Sequence, residues 1–487
     1  MKKIVYGVTL LLLISTFQGL ASHGSKEVTI GSEFSKILST ENMSGMSIPV
    51  KWIFNVYDWY QAVEVSFDNE RIFCGGYNSG LLYCLQLENG QEIWRSDQVL
   101  GPIVAIDEAP NGKYLGVASE DGNVYLLNAS NGYVLWNYTI QGGVMCSVVF
   151  SADSNFIYAG HASGTIVCLN IDGTLIWEKS LYGQVYSLKS SKSGNFLIAG
   201  QGASSITSLN PLNGSINWNF QTDGTWSENK IRISFDDKLI VVASTDNNVY
   251  LLNATTGNKL WNYTLDGWVK SASISRDNTK VGAMSINAGV YCFNSANGRI
   301  LWNTTFFGQE GYFMWPSMDT LEFSPSGRRI VIGGKNTVFI LDVATGVVLG
   351  QYFASGDICS MRISSDGRYV IIGTYYNGVH CIYSPWFVDD DGFSDFRTIQ
   401  EAINVADSGD AIYVRSGTYY ENIIVNKSVQ LIGECKETTI IDGNYTGDVV
   451  LIVADNVTLS GFTIRNSQRS WAKRGVGLNG VKNCNLT

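Results

Sequence analysis

The sequence has little of what marks several common protein classes. Proline accounts for only 7 of 487 residues and apolar residues for 45%, which excludes a disordered or collagen-like chain. A long apolar run occurs only at the N-terminus, so a polytopic membrane protein is excluded. Charged residues are 16% and the net charge is −10, which argues against nucleic acid as a partner because binding to phosphates requires a basic surface.

Histidines and paired cysteine motifs are equally scarce. His23, His161 and His380 are too scattered for a catalytic or metal cluster, so we expect no metal; His161 is expected to be a solvated loop residue, with a ligand contact as the alternative. The nine cysteines include no Cys-x-x-Cys, which excludes the usual zinc-ribbon and thioredoxin spacings. Instead, 51 glycines and 12% aromatic residues indicate many short strands and tight turns.

The N-terminus has the features of a secretory signal peptide. Two lysines precede an apolar run over residues 4–17, and small residues follow it before Ser22. We therefore expect residues 1–21 to be removed and residues 22–45 to form a linker, leaving an acidic, exported protein. An uncleaved membrane anchor is the alternative, although the run is short for a bilayer.

Eleven Asn-x-Ser/Thr triplets permit N-glycosylation in an exported protein, although an Asn- and Thr-rich β protein also produces them by chance. They begin at Asn42, Asn128, Asn137, Asn213, Asn253, Asn262, Asn303, Asn426, Asn444, Asn456 and Asn485.

A repeat organises residues 46–384. Seven tryptophans recur 41 to 43 residues apart, and Leu349 takes the eighth position. A period of about 40–45 residues with glycine turns and a recurring Trp is typical of four-stranded β-propeller blades. The tryptophans are Trp52, Trp94, Trp136, Trp177, Trp218, Trp261 and Trp302.

Counting the repeats predicts an all-β domain of eight blades. The last set of three strands, ending at Ile382, has no outer strand after it, and the strand around Val50–Val56 has no inner strands before it. Pairing these two segments closes the ring and removes open sheet edges. We therefore predict an eight-bladed propeller whose last blade is completed by the N-terminal strand. Seven blades with a stray strand is the alternative.

The segment Leu251–Trp261 resembles the tryptophan-docking repeat of quinoprotein alcohol dehydrogenases and related PQQ-like propellers. The turns Ser324–Gly327 and Ser364–Gly367 also resemble those of WD40-like blades. The resemblance implies that the seven tryptophans are structural and pack between neighbouring blades.

Enzymes of this family typically carry adjacent cysteines, a calcium cluster and a catalytic Asp around the quinone. This sequence has no Cys-Cys pair, and we cannot place the calcium cluster in any blade. Non-enzymatic members, such as outer-membrane assembly lipoproteins, keep the repeat without that site. We therefore expect no catalytic residues and no PQQ or calcium cofactor.

Four cysteines fall in one slot of the third strand in different blades, and Leu, Ser or Ile fills that slot elsewhere. A slot that alternates Cys with Leu and Ile predicts buried free thiols rather than disulfides. The four are Cys84, Cys168, Cys292 and Cys381.

One face of the propeller is a candidate ligand surface. Loops from strand 2 to 3 and from strand 4 to the next blade share a face, and the second kind carries aromatic residues suited to sugars or extended peptides. The alternative, favoured for Trp59 and Trp268, is that these aromatics begin the innermost strands and pack the channel. The candidate ligand-binding residues are Tyr57, Trp59, Tyr60, Tyr182, Trp226, Trp268, Phe306, Phe307, Tyr312 and Trp315.

A second architecture follows the propeller. After a linker at 385–396, apolar residues at helical spacing in 399–406 predict a helix, with Thr398 and Glu401 as a capping box. Short strands then recur at intervals of 28 and 27 residues. This pattern predicts a right-handed parallel β-helix over 397–487, with the helix as its N-terminal cap.

The runs Thr398–Ile403, Gly417–Asn422 and Lys427–Gly433 resemble NosD-like and pectin-lyase-like β-helices of exported surface proteins, particularly archaeal ones. Because the chain stops in mid-coil, we expect the β-helix to be C-terminally incomplete. The acidic string Asp389–Asp395 could hold Ca²⁺, but Gln400 stands where an EF-hand requires Glu, so a polar linker is the preferred interpretation.

These features predict an exported binding or scaffold protein, extracellular or at the cell surface, or periplasmic in a double-membrane bacterium. The propeller is expected to recognise a glycan or an envelope protein, and the β-helix to act as a stalk or second binding surface. The alternatives are an enzyme, either a polysaccharide lyase or a quinone-dependent dehydrogenase, and an envelope-assembly factor.

Overall fold

The computed structural model describes residues 46–224, 229–287, 289–305, 320–390, 394–468 and 474–487. The predicted signal peptide and the 22–45 linker lie outside these ranges. So do five candidate ligand residues: Trp226, Phe306, Phe307, Tyr312 and Trp315.

Eight antiparallel blades surround a central channel, and the first strand of each blade contacts the first strands of both neighbours. Blades 1 to 4 comprise Ala62–Val65, Arg71–Gly75, Leu82–Gln86 and Glu92–Ser96; Ile103–Glu108, Tyr114–Ser119, Asn123–Asn128 and Val134–Thr139; Met145–Phe150, Phe156–His161, Thr165–Asn170 and Leu175–Ser180; and Val185–Ser190, Leu197–Gln201, Ser205–Leu209 and Ile216–Gln221. Blades 5 to 8 comprise Asn229–Ile233, Leu239–Ser244, Asn248–Asn253 and Lys259–Thr264; Val269–Ile274, Lys280–Ser285, Gly289–Asn294 and Ile300–Thr305; Leu321–Phe323, Arg329–Gly333, Thr337–Asp342 and Val348–Phe353; and Ile358–Ile363, Tyr369–Thr374, Val379–Tyr383 and Val50–Phe54.

The predicted closure of the ring is confirmed. The N-terminal strand Val50–Phe54 pairs antiparallel with Val379–Tyr383, with Trp52 opposite Cys381. The eighth blade is therefore a composite of the two ends of the propeller, and the alternative of seven blades is excluded. One strand was not predicted: Met46–Ser47 adds in parallel to the outer edge of blade 7, against Gly350 and Gln351.

Each outer-strand tryptophan joins its blade to the next one. The indole Nε1 donates a hydrogen bond of 2.7–3.2 Å to the carbonyl that follows the third strand of the next blade. The ring also lies against a glycine in the turn after that carbonyl, so close that a Cβ there would stand 2.4–3.1 Å from it. The seven pairs are Trp52–Gly90, Trp94–Gly132, Trp136–Gly173, Trp177–Gly214, Trp218–Gly257, Trp261–Gly298 and Trp302–Gly346.

The cysteine slot lies directly beside these tryptophans. Cys84 is the cross-strand partner of Trp94, and Cys168 is that of Trp177. All nine cysteines of the chain lie in the described part and none forms a disulfide. Burial raises the pKa of the Cys84 and Cys168 thiols to about 12, so they are inert apolar fillers as expected.

The contact between blades 7 and 8 is different, because blade 8 has no turn from its third to its fourth strand. Its third strand leads instead to Ser384 and into the second domain. The Ser384 carbonyl occupies the position of the other acceptors, and it receives a hydrogen bond of 3.1 Å from Nη1 of the buried Arg329. Leu349, in the tryptophan position, packs in a core shared with Phe387 and Tyr413 of the second domain.

The second domain is a parallel β-solenoid of three sheets that encloses an apolar core, as predicted. Its first sheet contains Trp386–Val388, Ala411–Val414, Gln430–Gly433, Thr458–Ser460 and Asn485–Leu486; the second Gly417–Tyr419, Thr439–Asp442 and Thr463–Arg465; the third Ile423–Val425, Val450–Ile452 and Val476–Leu478. The pairs Gln430–Thr458 and Thr458–Asn485 reproduce the sequence intervals of 28 and 27 residues.

A short helix, Ile399–Val405, covers the start of this core, and the Thr398 side chain accepts a hydrogen bond from the Glu401 amide at its N-terminus. The segment 385–396, interpreted as a linker, contains the first solenoid strand, Trp386–Val388. A strand of three residues leaves too short a pattern to be recognised in sequence.

Replacing the docking glycine of blade 2 is expected to destabilise the propeller. Gly132→Ala places a methyl group 2.4 Å from the Trp94 ring and forces alanine to φ +72°. In Gly112→Ala, the matched control in the same blade, φ is +68° and nothing lies closer than 3.9 Å. We expect the control to lose about 1–2 kcal/mol from backbone strain and Gly132→Ala to lose a further 1–3 kcal/mol from overpacking, measured by urea unfolding. Equal losses of unfolding free energy in the two variants would contradict a tight contact between Gly132 and the Trp94 ring.

Removing the Arg329 guanidinium is expected to weaken the join between the domains. Arg329 forms an ion pair with the buried Asp395 at 3.8 Å and donates to Ser384 and Pro385. Arg329→Met removes the cation beside that carboxylate, which keeps the hydrogen bond from the Phe387 amide at 3.1 Å, and is expected to cost about 3–5 kcal/mol in urea unfolding. Arg299→Met at an exposed turn is expected to cost little. An almost unchanged free energy of unfolding in Arg329→Met would contradict this role of Arg329.

Candidate functional site

Five aromatic side chains meet on the face that carries the strand 2–3 turns and the blade-to-blade connections. We call Tyr57, Trp59, Tyr77, Tyr375 and Tyr376 the seam cluster, because they lie where blade 8 meets blade 1. Tyr57 and Tyr376 stack with ring centroids 4.7 Å apart and planes inclined by 8°. Trp59 lies 4.4 Å from Tyr77 and 5.3 Å from Tyr375, and Tyr375 lies 4.1 Å from Tyr376.

A buried carboxylate holds the loops that carry the cluster. Asp58 is 2% exposed and accepts hydrogen bonds from the amides of Trp59, Asn78 and Ser79 at 2.7, 2.9 and 3.2 Å, and from the Ser79 hydroxyl. Backbone bonds add to this, because the Tyr376 amide donates to the Asp58 carbonyl at 3.0 Å. The cluster is therefore fixed before any ligand arrives.

The members of the seam cluster differ in exposure. Tyr57 is 78% exposed, and the other four rings are partly buried beneath and beside it. The Tyr77 hydroxyl donates to Glu120 at 2.9 Å, and burial together with this carboxylate raises the pKa of Tyr77 to about 12. The arrangement offers one flat, accessible ring surface on a rigid base.

Sequence reasoning missed three members, Tyr77, Tyr375 and Tyr376, because they lie on strand 2–3 turns rather than on the blade-to-blade connections. The expectation that Tyr60 is displayed on the face is not met, since Tyr60 is fully buried beneath the cluster. Burial raises the pKa of its hydroxyl strongly. Tyr60 lies two residues before the first strand of blade 1, and it packs in an apolar core with Val63 and Ile72.

The remaining described candidates lie on the same kind of connection at other blades. Tyr182, before blade 4, is 76% exposed. Trp268, before blade 6, is half exposed, with Lys270 Nζ 4.9 Å from its ring centroid. The expectation of a solvated His161 is wrong: it is fully buried, and its Nδ1 contacts Ser163 Oγ at 2.7 Å.

The central channel holds a cavity of about 370 Å³ lined by first strands of the blades. Opposite charges face each other in it: Arg362 Nε lies 3.1 Å from Glu64 Oε2. Asp107 accepts a hydrogen bond of 2.7 Å from the Phe150 amide of the next blade. Burial and the neighbouring Glu64 raise the pKa of Asp107 to about 7, against the lowering effects of Lys189 and Arg362.

These channel charges were also missed from sequence, although one signal could have found them. When the repeats are aligned on the Ser or Ala that starts each strand 1–2 turn, one position is charged in six of eight blades. The residues there are Glu64, Asp107, Val149, Lys189, Arg232, Ser273, Glu322 and Arg362.

Within the described ranges, no group of three or more His, Cys, Asp and Glu side chains is arranged to hold a metal ion. Over the same residues, no helix has both the length and the apolar composition needed to cross a bilayer.

Comparison with known proteins places the propeller in a family. The family model described as "Outer membrane protein assembly factor BamB" matches residues 78–230 and 147–352, together more than half of the chain. The chain therefore belongs to this family of PQQ-type repeat propellers.

Curated relatives are distant. The outer membrane protein assembly factor BamB of Moranella endobia (strain PCIT) is 25% identical over 147 residues, 27% of this chain and 36% of that protein. The BamB of Burkholderia pseudomallei (strain K96243) is 22% identical over 308 residues, 60% of this chain and 76% of that protein. This chain thus spans only about a third of the Moranella protein.

A solved structure supports the fold. The crystal structure of BamB from Moraxella catarrhalis superimposes with a TM-score of 0.56 and 14% identity, covering 69% of this chain and 99% of that one. At this identity the likeness concerns the propeller fold alone.

Neutralising Asp107 is expected to flatten the pH dependence of stability. Between about pH 4 and 7 the folded protein retains a proton that the unfolded chain releases, so its free energy of unfolding falls as pH rises through this window. Asp107→Asn keeps an acceptor for the Phe150 amide without the charge. We expect its advantage over the parent in free energy of unfolding to be roughly 1–3 kcal/mol larger at pH 8 than at pH 5, measured by urea unfolding.

The control is Asp172→Asn, at an exposed turn. The hydrogen bond from the Thr174 amide lowers the pKa of Asp172, so its charge does not change between pH 5 and 8. A parent protein equally stable at both pH values would contradict the raised pKa of Asp107.

Proposed function

We propose that this protein is a non-catalytic binding scaffold of a cell envelope, and that its propeller captures extended polypeptide segments on the seam cluster. The observation that carries the proposal is the Tyr57 ring, 78% exposed on a stacked aromatic base that Asp58 holds in place. An exposed aromatic on a preorganised base lowers the entropic cost of binding, because little of the site has to be ordered.

The chemistry around the ring suits a peptide. The exposed Asn78 and Ser79 lie on the turn next to the cluster, and Glu120 stands behind Tyr77. An extended chain can place an apolar side chain on Tyr57 while its backbone exchanges hydrogen bonds with such polar groups. The family supports the same role, since its relatives are named as outer membrane protein assembly factors.

A glycan is the second candidate. The Tyr57 and Tyr376 rings are nearly parallel, and a flat exposed ring face is the usual platform for the apolar face of a sugar. The sequence expectation of export fits either ligand, because both are envelope components. The β-solenoid serves in this proposal as a rigid support, joined to blade 7 by Arg329 and Asp395.

The test measures binding to the full chain with two arrays, one of extended segments from envelope proteins and one of glycans, followed by titration of any ligand found. We expect a peptide ligand, and Tyr57→Ala is expected to weaken it about tenfold or more, the effect of losing a central aromatic contact. Tyr133→Ala is the matched control, because Tyr133 is 64% exposed on a turn of blade 2 outside the cluster.

A second outcome is that a glycan binds, that its binding depends on Tyr57 and that no peptide competes with it. The ligand of the seam cluster would then be a sugar and not a peptide. Binding that Tyr57→Ala and Tyr133→Ala weaken equally would remove the seam cluster from the function. Unchanged thermal unfolding of both variants shows that any loss arises from the contact itself.

A further inference from the structure

The face opposite the seam cluster has its own repeated position. The turns between first and second strands begin with a Ser or Ala, and the next residue is the equivalent position of the repeat in each blade. In blades 4, 5 and 6 this residue is Lys192, Phe235 and Arg276, so neighbouring blades bring two cations against one aromatic ring.

Both cations lie against the Phe235 ring. Lys192 Nζ stands 3.3 Å from the Phe235 centroid, and the Arg276 guanidinium carbon 4.3 Å from it. Phe235 itself remains 48% exposed. Contact with a π face holds each cation in position without neutralising its charge. Desolvation by burial and repulsion from Arg276 lower the pKa of Lys192, against the raising effect of the Asp237 carboxylate.

Nearby carboxylates are engaged elsewhere. Asp237 accepts the amides of Lys192 and Ser193 at 3.1 and 2.7 Å, and Asp236 pairs with Lys238 at 3.0 Å. Among the residues that the structure describes, neither Lys192 nor Arg276 makes an ion pair within 4.0 Å. The two cations therefore share one ring with no carboxylate of the described residues within ion-pair distance, while the charges of Asp237 and of the pocket residue Glu322 lie nearby.

The cations border a pocket with apolar walls. The pocket has a volume of about 370 Å³ and extends from Phe235 across blades 6 and 7 towards blade 8. Its apolar lining is Ile233, Ile274, Phe323, Pro325 and Ile363, and Ser324, Ser365 and Glu322 add polar groups. Apolar walls next to cations suit a ligand that carries an apolar side chain beside a carboxylate, and they suit a polar sulfated sugar poorly.

We propose that this pocket is a second binding surface, independent of the seam cluster, that recognises an acidic segment of a partner protein. In it, carboxylates of the segment pair with Lys192 and Arg276, and an adjacent aliphatic or aromatic side chain enters the pocket against Phe235. Charge complementarity selects the occupant, because the site offers two cations.

The test uses the full chain and fluorescence polarisation. The probes are a labelled peptide of alternating Glu and Leu, the same peptide with Gln for Glu, dextran sulfate as competitor and vesicles containing phosphatidylglycerol. The double variant Lys192→Gln/Arg276→Gln is compared with Lys259→Gln/Arg299→Gln, which removes the same charges from exposed positions outside the pocket. The single variants Lys192→Gln and Arg276→Gln, and Phe235→Ala, complete the set.

We expect the Glu–Leu peptide to bind at least tenfold more tightly than the Gln–Leu peptide. The pocket double variant is expected to lose at least fivefold in affinity, with intermediate losses for the single variants, while the outer double variant binds like the parent. Phe235→Ala is expected to weaken binding too, although it removes no charge.

Equal binding of the two peptides, or equal losses for the two double variants, would overturn the proposal. So would binding of dextran sulfate or of the anionic vesicles that depends on Lys192 and Arg276 while the Glu–Leu peptide fails to bind, because the site would then recognise polyanions or lipid. Binding unaffected by Phe235→Ala would show that the aromatic ring does not organise the site.

Discussion

The ring depends on the contact between a tryptophan of one blade and a glycine turn of the next. Each indole donates one hydrogen bond across the blade boundary and covers a turn where a side chain has no room, as Trp94 does at Gly132. The contact couples the two residue types, because the left-handed turn needs glycine and the space above that glycine is filled by the ring. Repeated at seven of eight boundaries, the same contact sets the spacing between neighbouring blades.

The eighth boundary shows what happens where this contact is impossible. Blade 8 takes its outer strand from the N-terminus, so no turn exists for an indole to cover. Arg329 donates a hydrogen bond to the equivalent carbonyl, that of Ser384. Its second partner, Asp395, belongs to the β-solenoid region. The missing tryptophan therefore marks both the closure of the ring and the attachment of the second domain, where Leu349 packs with Phe387.

The propeller uses its repeat to give its surfaces different chemistry. Equivalent positions carry aromatic rings on one face, a Lys–Phe–Arg row on the other, and opposed charges in the channel between them. A strand position that faces the channel in one blade does so in all, so single residues can vary without changing the fold. Rigid blades thus hold the seam cluster on one face and the pocket bordered by Lys192, Phe235 and Arg276 on the opposite face.

The sequence alone determined the number of blades, the composite closure and the β-solenoid, because these follow from hydrophobic periodicity and from the spacing of Trp and Gly. It also placed the buried thiols, since a slot shared by Cys, Leu and Ile is apolar. Only the tertiary structure decided which side chains meet. Tyr57 and Tyr376 are more than three hundred residues apart in sequence, and Tyr60 is fully buried although Tyr57, three residues earlier, is exposed. Such contacts arise from ring closure, which joins distant segments that no local pattern relates.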